Sequence, residues 1–502
     1  MRGSSLIAAL ALPALAWGAA RAEAERPPYE GWVVGLNITW QTWDEDQPWL
    51  KRKPETRRAG GVVVGENLVL TTAEMLEHAT FVQLETHGRS RPGKPQIKRV
   101  DRSANLALLS IEGGLPAGLA PAPVAPRTPT SGTLRTVRWR GQQIEAAASR
   151  VIRLEVERSE TGNAQYAHVR LRTDLSGGGW SEPVFDRGAL VGLTVSQDGD
   201  ESRAIPAEIL SLFVQGPAEG AADSLPALGA HWQVNKEEAV TKYLGQEGAP
   251  RGILIRQVPW GSTGCGVLQP RDILLELDGE AIDAEGFFLH PWLGRIGFHQ
   301  ILSERFKPGD EVRARVHRGG RELDVVLAAR AYPDDLKLIP GRQHEPPPFL
   351  VAGGLVIREL DVPYLRTWGK EWNLDAPDRL YSRYYFDSEG QRPVLRRVVL
   401  VTAVLPSVYT IGYHHLRDVV IERFNGRPVS RLEDVAEALE SPAGAFHVID
   451  LARESAMDQI VLDAGTLKAA TGAVMEEYGL PSDRRMRSSP LPAGGGECQP
   501  EP

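Results

Sequence analysis

The segment Leu68-Val69-Leu70-Thr71-Thr72-Ala73-Glu74-Met75-Leu76-Glu77-His78-Ala79 decides the fold of this chain. It opens as an apolar run and continues into a polar turn that carries Glu74. The run Gly60-Gly61-Val62-Val63-Val64 precedes it and has the same strand character. From Gly31 to Val214, short apolar strands alternate with Gly, Pro and Asn turns, and helical periodicity is scarce. This pattern predicts two packed β-barrels, joined by the proline-rich stretch from Pro116 to Pro129.

Two later segments extend the pattern. The first is Asp101-Arg102-Ser103-Ala104-Asn105-Leu106-Ala107-Leu108-Leu109, and the second is Thr173-Asp174-Leu175-Ser176-Gly177-Gly178-Gly179-Trp180-Ser181-Glu182-Pro183. Three segments in this order and at this spacing resemble the HtrA (Do-like, Deg) family of trypsin-like serine proteases. The resemblance spans nearly all of the chain after residue 24, and it implies a mainly β fold in which a double β-barrel is followed by α+β PDZ modules.

The resemblance also identifies the positions of a catalytic triad. In the family, the first segment bears the histidine base, the second bears an aspartate that orients it, and the third bears the serine nucleophile. Here the base position is Glu74 and the aspartate position is Asn105. The nucleophile position is Trp180 when the segments are aligned on Pro183, or Ser176 when they are aligned on Ser-Gly-Gly.

These residue types predict that the site does not cleave peptides. A serine hydroxyl needs an adjacent base, and that base needs an orienting group. A carboxyl group is a much weaker base than imidazole, and an asparagine side chain does not stabilise a charged partner as aspartate does. The leading hypothesis is therefore a pseudoprotease. An active endopeptidase with a rearranged site, using Ser176 or Ser181 with Glu74 or His168, is the alternative.

A first PDZ domain is predicted after an Ala- and Gly-rich linker at residues 216–223. Arg251-Gly252-Ile253-Leu254-Ile255 precedes Pro270-Arg271-Asp272-Ile273-Leu274, and Lys307-Pro308-Gly309-Asp310 follows, which resembles a bacterial PDZ domain. In such a loop, backbone amides bind a terminal carboxylate and a strand edge pairs with the peptide. The candidate peptide-binding residues are Gly252, Ile253, Leu254 and Ile255. A plain buried strand would show the same apolar pattern.

A second, divergent PDZ domain is predicted over residues 346–480. Val351-Ala352-Gly353-Gly354-Leu355-Val356-Ile357 is a possible second carboxylate loop, and Arg431–Ser441 has the periodicity of the helix that lines a PDZ groove. Between them lies an aromatic insertion that, by the family resemblance, mediates self-association. Residues 481–502 are rich in Pro, Gly and Ser, which predicts a disordered tail.

The first 24 residues predict the compartment. An apolar stretch from Leu6 to Trp17 is followed by small residues at Ala20 and Ala22, which is typical of a secretory signal peptide, so we expect a secreted or periplasmic protein without a membrane-spanning segment after cleavage. The formal charge of −8 argues against nucleic acid as a partner. No metal-ligand or cofactor-binding motif is present, so no cofactor is expected. The cysteines, Cys265 and Cys498, are expected to be free thiols.

The predicted domains are 1–24 signal peptide, 25–215 degenerate protease domain, 224–332 first PDZ domain, 346–480 second PDZ domain and 481–502 tail. The expected partners are peptide or protein C-termini and unfolded polypeptides. By the family resemblance, the aromatic residues from Tyr29 to Trp49 imply a trimer-based homo-oligomer, and core packing of the first barrel explains them equally well. A structural oligomer without peptide capture is the third hypothesis.

Overall fold

The computed structural model describes residues 29–86, 94–141, 143–216, 220–332, 334–342, 345–387, 396–453 and 457–487. The predicted signal peptide and Cys498 lie outside these residues. Cys265 is disulfide-bonded, so the expectation that it is a free thiol is wrong. No helix among the described residues is both long and apolar enough to cross a membrane.

The first barrel region is a seven-stranded sheet with the order β13-β5-β6-β3-β2-β1-β4. A short helix, α1 (Tyr29–Trp32), precedes it. The strands are β1 (Val33–Trp40), β2 (Glu55–Gly65), β3 (Leu68–Thr72), β4 (Ala79–Glu85), β5 (Lys94–Asp101), β6 (Leu106–Glu112) and β13 (Gly220–Ala222). The last of these lies in the expected linker and pairs in parallel with β5. The buried apolar positions of β2, β3 and β6 form its core.

The second barrel is closed, with the strand order β10-β11-β12-β9-β8-β7. Its strands are β7 (Thr133–Arg140), β8 (Gln143–Arg158), β9 (Gln165–Thr173), β10 (Pro183–Asp186), β11 (Ala189–Asp198) and β12 (Glu201–Pro206), followed by α2 (Ala207–Val214). The two barrels share one buried apolar cluster that includes Val62, Leu70, Phe185 and Leu193. The expected double-barrel architecture is therefore confirmed.

The sheet of the expected first PDZ domain has the order β14-β15-β16-β20-β21. Its elements are β14 (His231–Val234), α3 (Glu238–Tyr243), β15 (Ile253–Gln257), β16 (Ile273–Leu277), β17 (Glu280–Ala281), β18 (Phe287–His290), β19 (Gly294–Gly297), α4 (His299–Arg305), β20 (Glu311–Arg318) and β21 (Arg321–Ala328). Helix α4 packs on β9, and the Ala167 N–H donates to the Gln300 side chain at 2.7 Å. One edge of this sheet is β14.

The expected second PDZ domain has a larger sheet with the order β28-β27-β25-β24-β23-β22-β29. Its strands are β22 (Phe349–Ala352), β23 (Leu355–Glu359), β24 (Val399–Val404), β25 (Val419–Phe424), β26 (Arg427–Pro428), β27 (Phe446–Leu451), β28 (Gln459–Asp463) and β29 (Arg484–Arg485). Its helices are α5 (Val362–Leu365), α6 (Trp372–Asp375), α7 (Asp378–Ser382), α8 (Leu432–Leu439) and α9 (Leu467–Tyr478). Strand β29 lies beyond residue 480, within the segment expected to be a disordered tail. The helix expected at Arg431–Ser441 is present as α8.

The expected second carboxylate loop has a different structure. Gly353 and Gly354 form the hairpin turn between β22 and β23, in which Val351 pairs with Val356. The Gly353 N–H donates to the Thr471 hydroxyl at 2.9 Å, so it is not available to a ligand. The prediction that this loop binds a carboxylate was wrong because its residues pair with each other as adjacent strands.

The loop between β1 and β2 connects the first barrel to the second PDZ sheet. Glu45 accepts hydrogen bonds from Arg342 at 2.6 Å and from Arg358 at 2.7 Å, and both arginines are buried. Trp49 packs edge-on against Phe349, with 5.8 Å between ring centroids. At the start of the chain, Tyr29 packs against Phe185 of the second barrel. Core packing thus accounts for part of the N-terminal aromatic cluster, and the trimer stays a prediction.

Candidate functional site

The expected base position lies on a 3-10 turn at the end of β3. This turn spans Glu74–Leu76, and Met75 and Leu76 are buried and fix its orientation. The Glu74 N–H donates to the Asn105 side-chain oxygen at 3.0 Å. The structure thus brings Glu74 and Asn105 together, as the sequence predicts for the first two triad positions.

The Asn105 side chain is fully buried and both of its polar ends are used. Its oxygen accepts from the Glu74 backbone, and its amide donates to a Glu160 carboxylate oxygen at 2.9 Å. Glu160 in turn accepts a hydrogen bond from Arg203. Asn105 has a φ of +54°, a left-handed conformation that asparagine tolerates better than most residues. Asn105 therefore links the turn, through hydrogen bonds, to the ion pair between Glu160 and Arg203.

The Glu74 carboxyl has a strongly shifted acidity. Burial raises its pKa to about 8, and the negative charge of Glu160 adds to the effect, while the hydrogen bond from Asn105 opposes it. Near neutral pH this carboxyl is therefore mostly protonated, and a protonated carboxyl does not accept a proton from a serine. One of its oxygens, Oε1, is buried and has no hydrogen-bond partner among the described residues.

Ser181 is excluded as an exposed nucleophile by its position. Its hydroxyl is fully buried, lies 2.6 Å from the Thr72 hydroxyl and accepts the Thr72 N–H at 3.1 Å. The Ser181 N–H donates to the Thr194 carbonyl at 2.7 Å. These bonds connect the loop before β10 to β3 and β11, which gives Ser181 a structural role.

Ser176 and Trp180, the two alternatives for the nucleophile position, both reach solvent. They line a cavity of about 650 Å³. The Trp180 side chain is 46% exposed, and the Ser176 carbonyl accepts a hydrogen bond from Arg138 at 2.8 Å. No hydrogen bond joins a serine hydroxyl to a histidine ring anywhere in the described ranges.

The histidines nearest in sequence do not supply a base. His168 is fully buried and stacks on Tyr166, and burial lowers its pKa to about 4. Its Nδ1 lies 3.1 Å from the Tyr166 carbonyl. His78 follows the turn, and burial together with the charge of Arg342 lowers its pKa. The alternative base His168 therefore lies inside the barrel wall rather than at the cavity.

The predicted peptide-binding residues Gly252, Ile253, Leu254 and Ile255 do not form an open edge, and this prediction was wrong. Strand β15 is paired with β14 on one side and with β16 on the other. The Gly252 N–H donates to the Ile282 carbonyl at 2.9 Å, and the Ile255 N–H to the Asp272 carbonyl at 2.8 Å. Because these amides are already bonded within the sheet, the buried-strand alternative describes them correctly.

The open edge of this sheet is β14, one strand further out. Leu254 pairs with Gln233, and the alternation of an antiparallel ladder directs the Gln233 backbone toward β15. The backbones of Trp232 and Val234 therefore face outward. The Trp232 ring lies 5.5 Å from the Phe298 ring, at the start of α4.

The loop before β14 offers unbonded amides that the sequence analysis missed. Gly229 has a φ of +69°, and neither its N–H nor that of Ala230 donates a hydrogen bond to any described residue. A β-carbon at Gly229 would lie 2.6 Å from the Ser262 β-carbon, so the site requires glycine. The sequence signal was present in Leu228-Gly229-Ala230, a glycine loop directly ahead of a short strand, but the similar glycine at position 252 concealed it.

Comparison with known proteins agrees with this architecture. A PDZ domain model matches residues 340–486. The chain is 24% identical over 469 residues to protease Do-like 2, chloroplastic, of Arabidopsis thaliana, which covers 90% of this chain and 74% of that protein. It is 21% identical over 446 residues to putative protease Do-like 12, mitochondrial, of the same plant, covering 87% and 83%.

Solved structures of HtrA-type proteases are also similar. The HtrA-type protease AlgW with a decapeptide aligns with a TM-score of 0.45 and 16% identity over 61% of this chain and 98% of that chain. A serine endoprotease from Yersinia pestis aligns with a TM-score of 0.41 and 15% identity over 61% and 96%.

Proposed function

We propose that this chain, which belongs to the HtrA/Deg (Do-like) family and carries a C-terminal PDZ domain, is a pseudoprotease that binds the C-termini of peptides or unfolded polypeptides. The binding surface is the β14 edge of the first PDZ domain, and the compartment is extracellular or periplasmic. The observation that carries the proposal is the contrast between Asn105, which is buried and bonded to Glu160 and to the Glu74 N–H, and the outward backbone groups of β14, which pair with no other strand among the described residues.

The proposed absence of cleavage rests on the protonation and hydrogen bonding of the candidate catalytic residues. Glu74 is mostly protonated near neutral pH, Asn105 is committed to Glu160, and the Ser181 hydroxyl is committed to Thr72. Ser176 is exposed but has no base bonded to it. A serine without a base and an oriented partner retains little nucleophilic reactivity.

Peptide binding rests on the geometry of β-addition. A peptide that pairs with β14 would satisfy the outward backbone groups of Trp232 and Val234, and its terminal carboxylate would meet the amides of Gly229 and Ala230. A hydrogen bond to a carboxylate is roughly twice as strong as a neutral one. This supports a preference for a free C-terminus.

The cleavage half of the proposal is tested with casein and with a serine-directed fluorophosphonate. We expect no casein fragments and no stoichiometric labelling of the whole purified protein. Glu74→His should also remain inactive because the variant still lacks an orienting acid and an aligned serine. Stoichiometric labelling at Ser176 or Ser181 would establish the rearranged endopeptidase instead.

The binding half is tested by titrating the whole protein with paired peptides that have an apolar C-terminus, one free and one amidated. The free form should bind at least fivefold more tightly. Gly229→Ala should weaken the free form to the level of the amidated one, because the added methyl group displaces the loop. Gly279→Ala is the matched control, since its φ is +79° and a β-carbon there has open space. Equal binding of both peptides would leave the structural oligomer as the better explanation.

A further inference from the structure

A second cavity lies between the two barrels, away from the degenerate triad. It has a volume of about 1120 Å³, above the usual range for small-molecule pockets. Strand β10 separates the two sites: Ser181 comes just before it, and Arg187 comes just after Asp186, where it ends. Four extended residues span about 13 Å, so this rear cavity is distinct from the cavity beside Trp180.

The roof of the rear cavity is formed by two segments in close contact. The Ala120 N–H donates to the Gly31 carbonyl at 2.8 Å. A β-carbon at Gly31 would lie 3.0 Å from the Gly118 carbonyl oxygen, so the segments touch through backbone. Helix α1 and the proline-rich connection between the barrels therefore cover the space together.

The rear cavity has both polar and apolar lining residues, and the apolar ones form one wall. Pro116 and Leu119 of the connection and Ile144 of β8 line it, and Tyr29 adds an aromatic wall. The Tyr29 ring packs 5.1 Å from the buried Phe185 ring, which fixes its position. This wall can bind the apolar part of a ligand.

Two arginines place positive charge on the same cavity. Arg135 is paired across from Phe185 in the β7–β10 ladder, and Arg187 follows Phe185 by two residues, so both start from the same end of that ladder. Both side chains are exposed, and neither has a hydrogen bond or ion pair within the described part of the chain. Burial raises the pKa of Tyr29, and the positive charge of Arg135 opposes that shift.

Glu30 is the remaining charged residue among those that line the cavity, and its side chain is exposed. The lining therefore carries a net positive charge. An arginine guanidinium recognises a carboxylate through two parallel hydrogen bonds, and a second arginine nearby strengthens that preference. One apolar wall, together with two guanidiniums that have no ion pair among the described residues, fits a molecule that has one acidic head and one apolar chain.

We propose that the rear cavity binds a fatty carboxylate, with the chain against Tyr29, Leu119 and Ile144 and the carboxylate between Arg135 and Arg187. This site is separate from the β14 edge and does not depend on the peptide-binding proposal.

Equilibrium dialysis of the whole protein with radiolabelled laurate tests the site. We expect one equivalent of laurate to bind, and dodecanol and dodecyltrimethylammonium to compete at least tenfold more weakly, because they lack the carboxylate. Arg135→Gln and Arg187→Gln should each weaken laurate about tenfold. Ala146→Trp should weaken it similarly by filling the cavity while both arginines remain.

Arg150→Gln is the matched control, because Arg150 is an exposed arginine of β8 that does not line the cavity and has no ion pair among the described residues. It should bind laurate as the unmodified protein does. Circular dichroism verifies that each variant folds, and Arg187→Gln, in an exposed turn, decides the matter if Arg135→Gln does not fold. Unchanged laurate affinity in the Arg187→Gln variant, or equal competition by dodecyltrimethylammonium, would overturn the proposal.

Discussion

Polar groups serve opposite purposes in two regions of the molecule. One region is the turn that carries Glu74, and the other is the edge strand β14. At the turn, the Asn105 amide and the Ser181 hydroxyl are buried and bonded to neighbouring strands. At the edge, the backbones of Trp232 and Val234 face outward, and the amides of Gly229 and Ala230 donate to no residue in the described part of the chain. Groups that are already bonded stabilise the fold, whereas unbonded groups at a fixed position are available to a ligand. A substitution at the turn should therefore change stability, and one at the edge should change binding.

The largest expected effect is at Asn105. Asn105→Ala should lower the free energy of unfolding by roughly 2–4 kcal/mol, because one Glu160 carboxylate oxygen and the Glu74 N–H lose their partner and alanine is placed in a left-handed conformation. Urea unfolding measures the change. Trp180→Ala is the control, since its side chain is half-exposed and a loss below about 1 kcal/mol is expected there.

Replacing Asn105 with aspartate, the residue that the family resemblance places at this position, should not restore the stability that Asn105→Ala loses. Asn105→Asp keeps an acceptor for the Glu74 N–H, but it replaces the donor to Glu160 with a second negative charge. We expect the Asn105→Asp variant to be less stable than the unmodified protein at pH 7. The difference in stability should be smaller at pH 5, where carboxyl groups begin to be protonated. Equal stability at both pH values would contradict the role assigned to the Asn105–Glu160 contact.

The pH dependence of Glu74 is the next largest effect. Its pKa in the folded protein, about 8, is above its ordinary value of 4.5, so between these values the folded state binds more protons than the unfolded state. Stability conferred by this group is present below pH 4.5 and is lost as the pH rises toward 8. As the pH rises from 5 to 8.5, the free energy of unfolding of Glu74→Gln should therefore increase by about 1–2 kcal/mol relative to that of the unmodified protein. This is less than the full linkage value because water screens a half-buried turn.

Guanidinium unfolding at both pH values measures that gain. Glu77 shares the turn, and burial raises its pKa to about 7, so part of the pH dependence should remain in the Glu74→Gln variant. Glu66→Gln, in an exposed turn, is a control that should leave the pH dependence unchanged. A Glu74→Gln variant with the full pH dependence of the unmodified protein would show that the Glu74 carboxyl is ionised at neutral pH.

An effect of similar size is expected at Ser181, where two substitutions separate its contributions. Ser181→Ala should cost about 1–2 kcal/mol, because the Thr72 hydroxyl and N–H lose their partner. Ser181→Gly loses the same hydroxyl, but glycine tolerates the φ of +58°, so its cost should be lower by a few tenths of a kcal/mol or more. Thermal unfolding compares the two. A glycine variant that is the less stable of the two would show that conformation does not matter there.

The sequence predicted the architecture and the pairing of Glu74 with Asn105, but it did not locate the open edge at β14. Strand periodicity and the order of three segments were sufficient for the barrels, because both properties are local. Gly252 and Gly229 each precede a short strand, and only the sheet order reveals that β15 is interior and β14 is at the edge. Likewise, nothing near Asn105 in sequence indicates Glu160, because that contact forms only when β6 approaches the end of β8.

The smallest effect on stability, with a clear effect on binding, is expected at Val234. Val234→Pro removes an N–H that faces outward, so the ladder with β15 stays intact and unfolding should change by less than about 1 kcal/mol. An added peptide strand loses that donor, and its affinity should fall about fivefold or more. Gln233→Pro is the contrasting variant, because its N–H faces β15 and its loss should destabilise the sheet. Binding that survives Val234→Pro while the free C-terminus is still preferred would place the peptide on the Gly229 loop without strand addition.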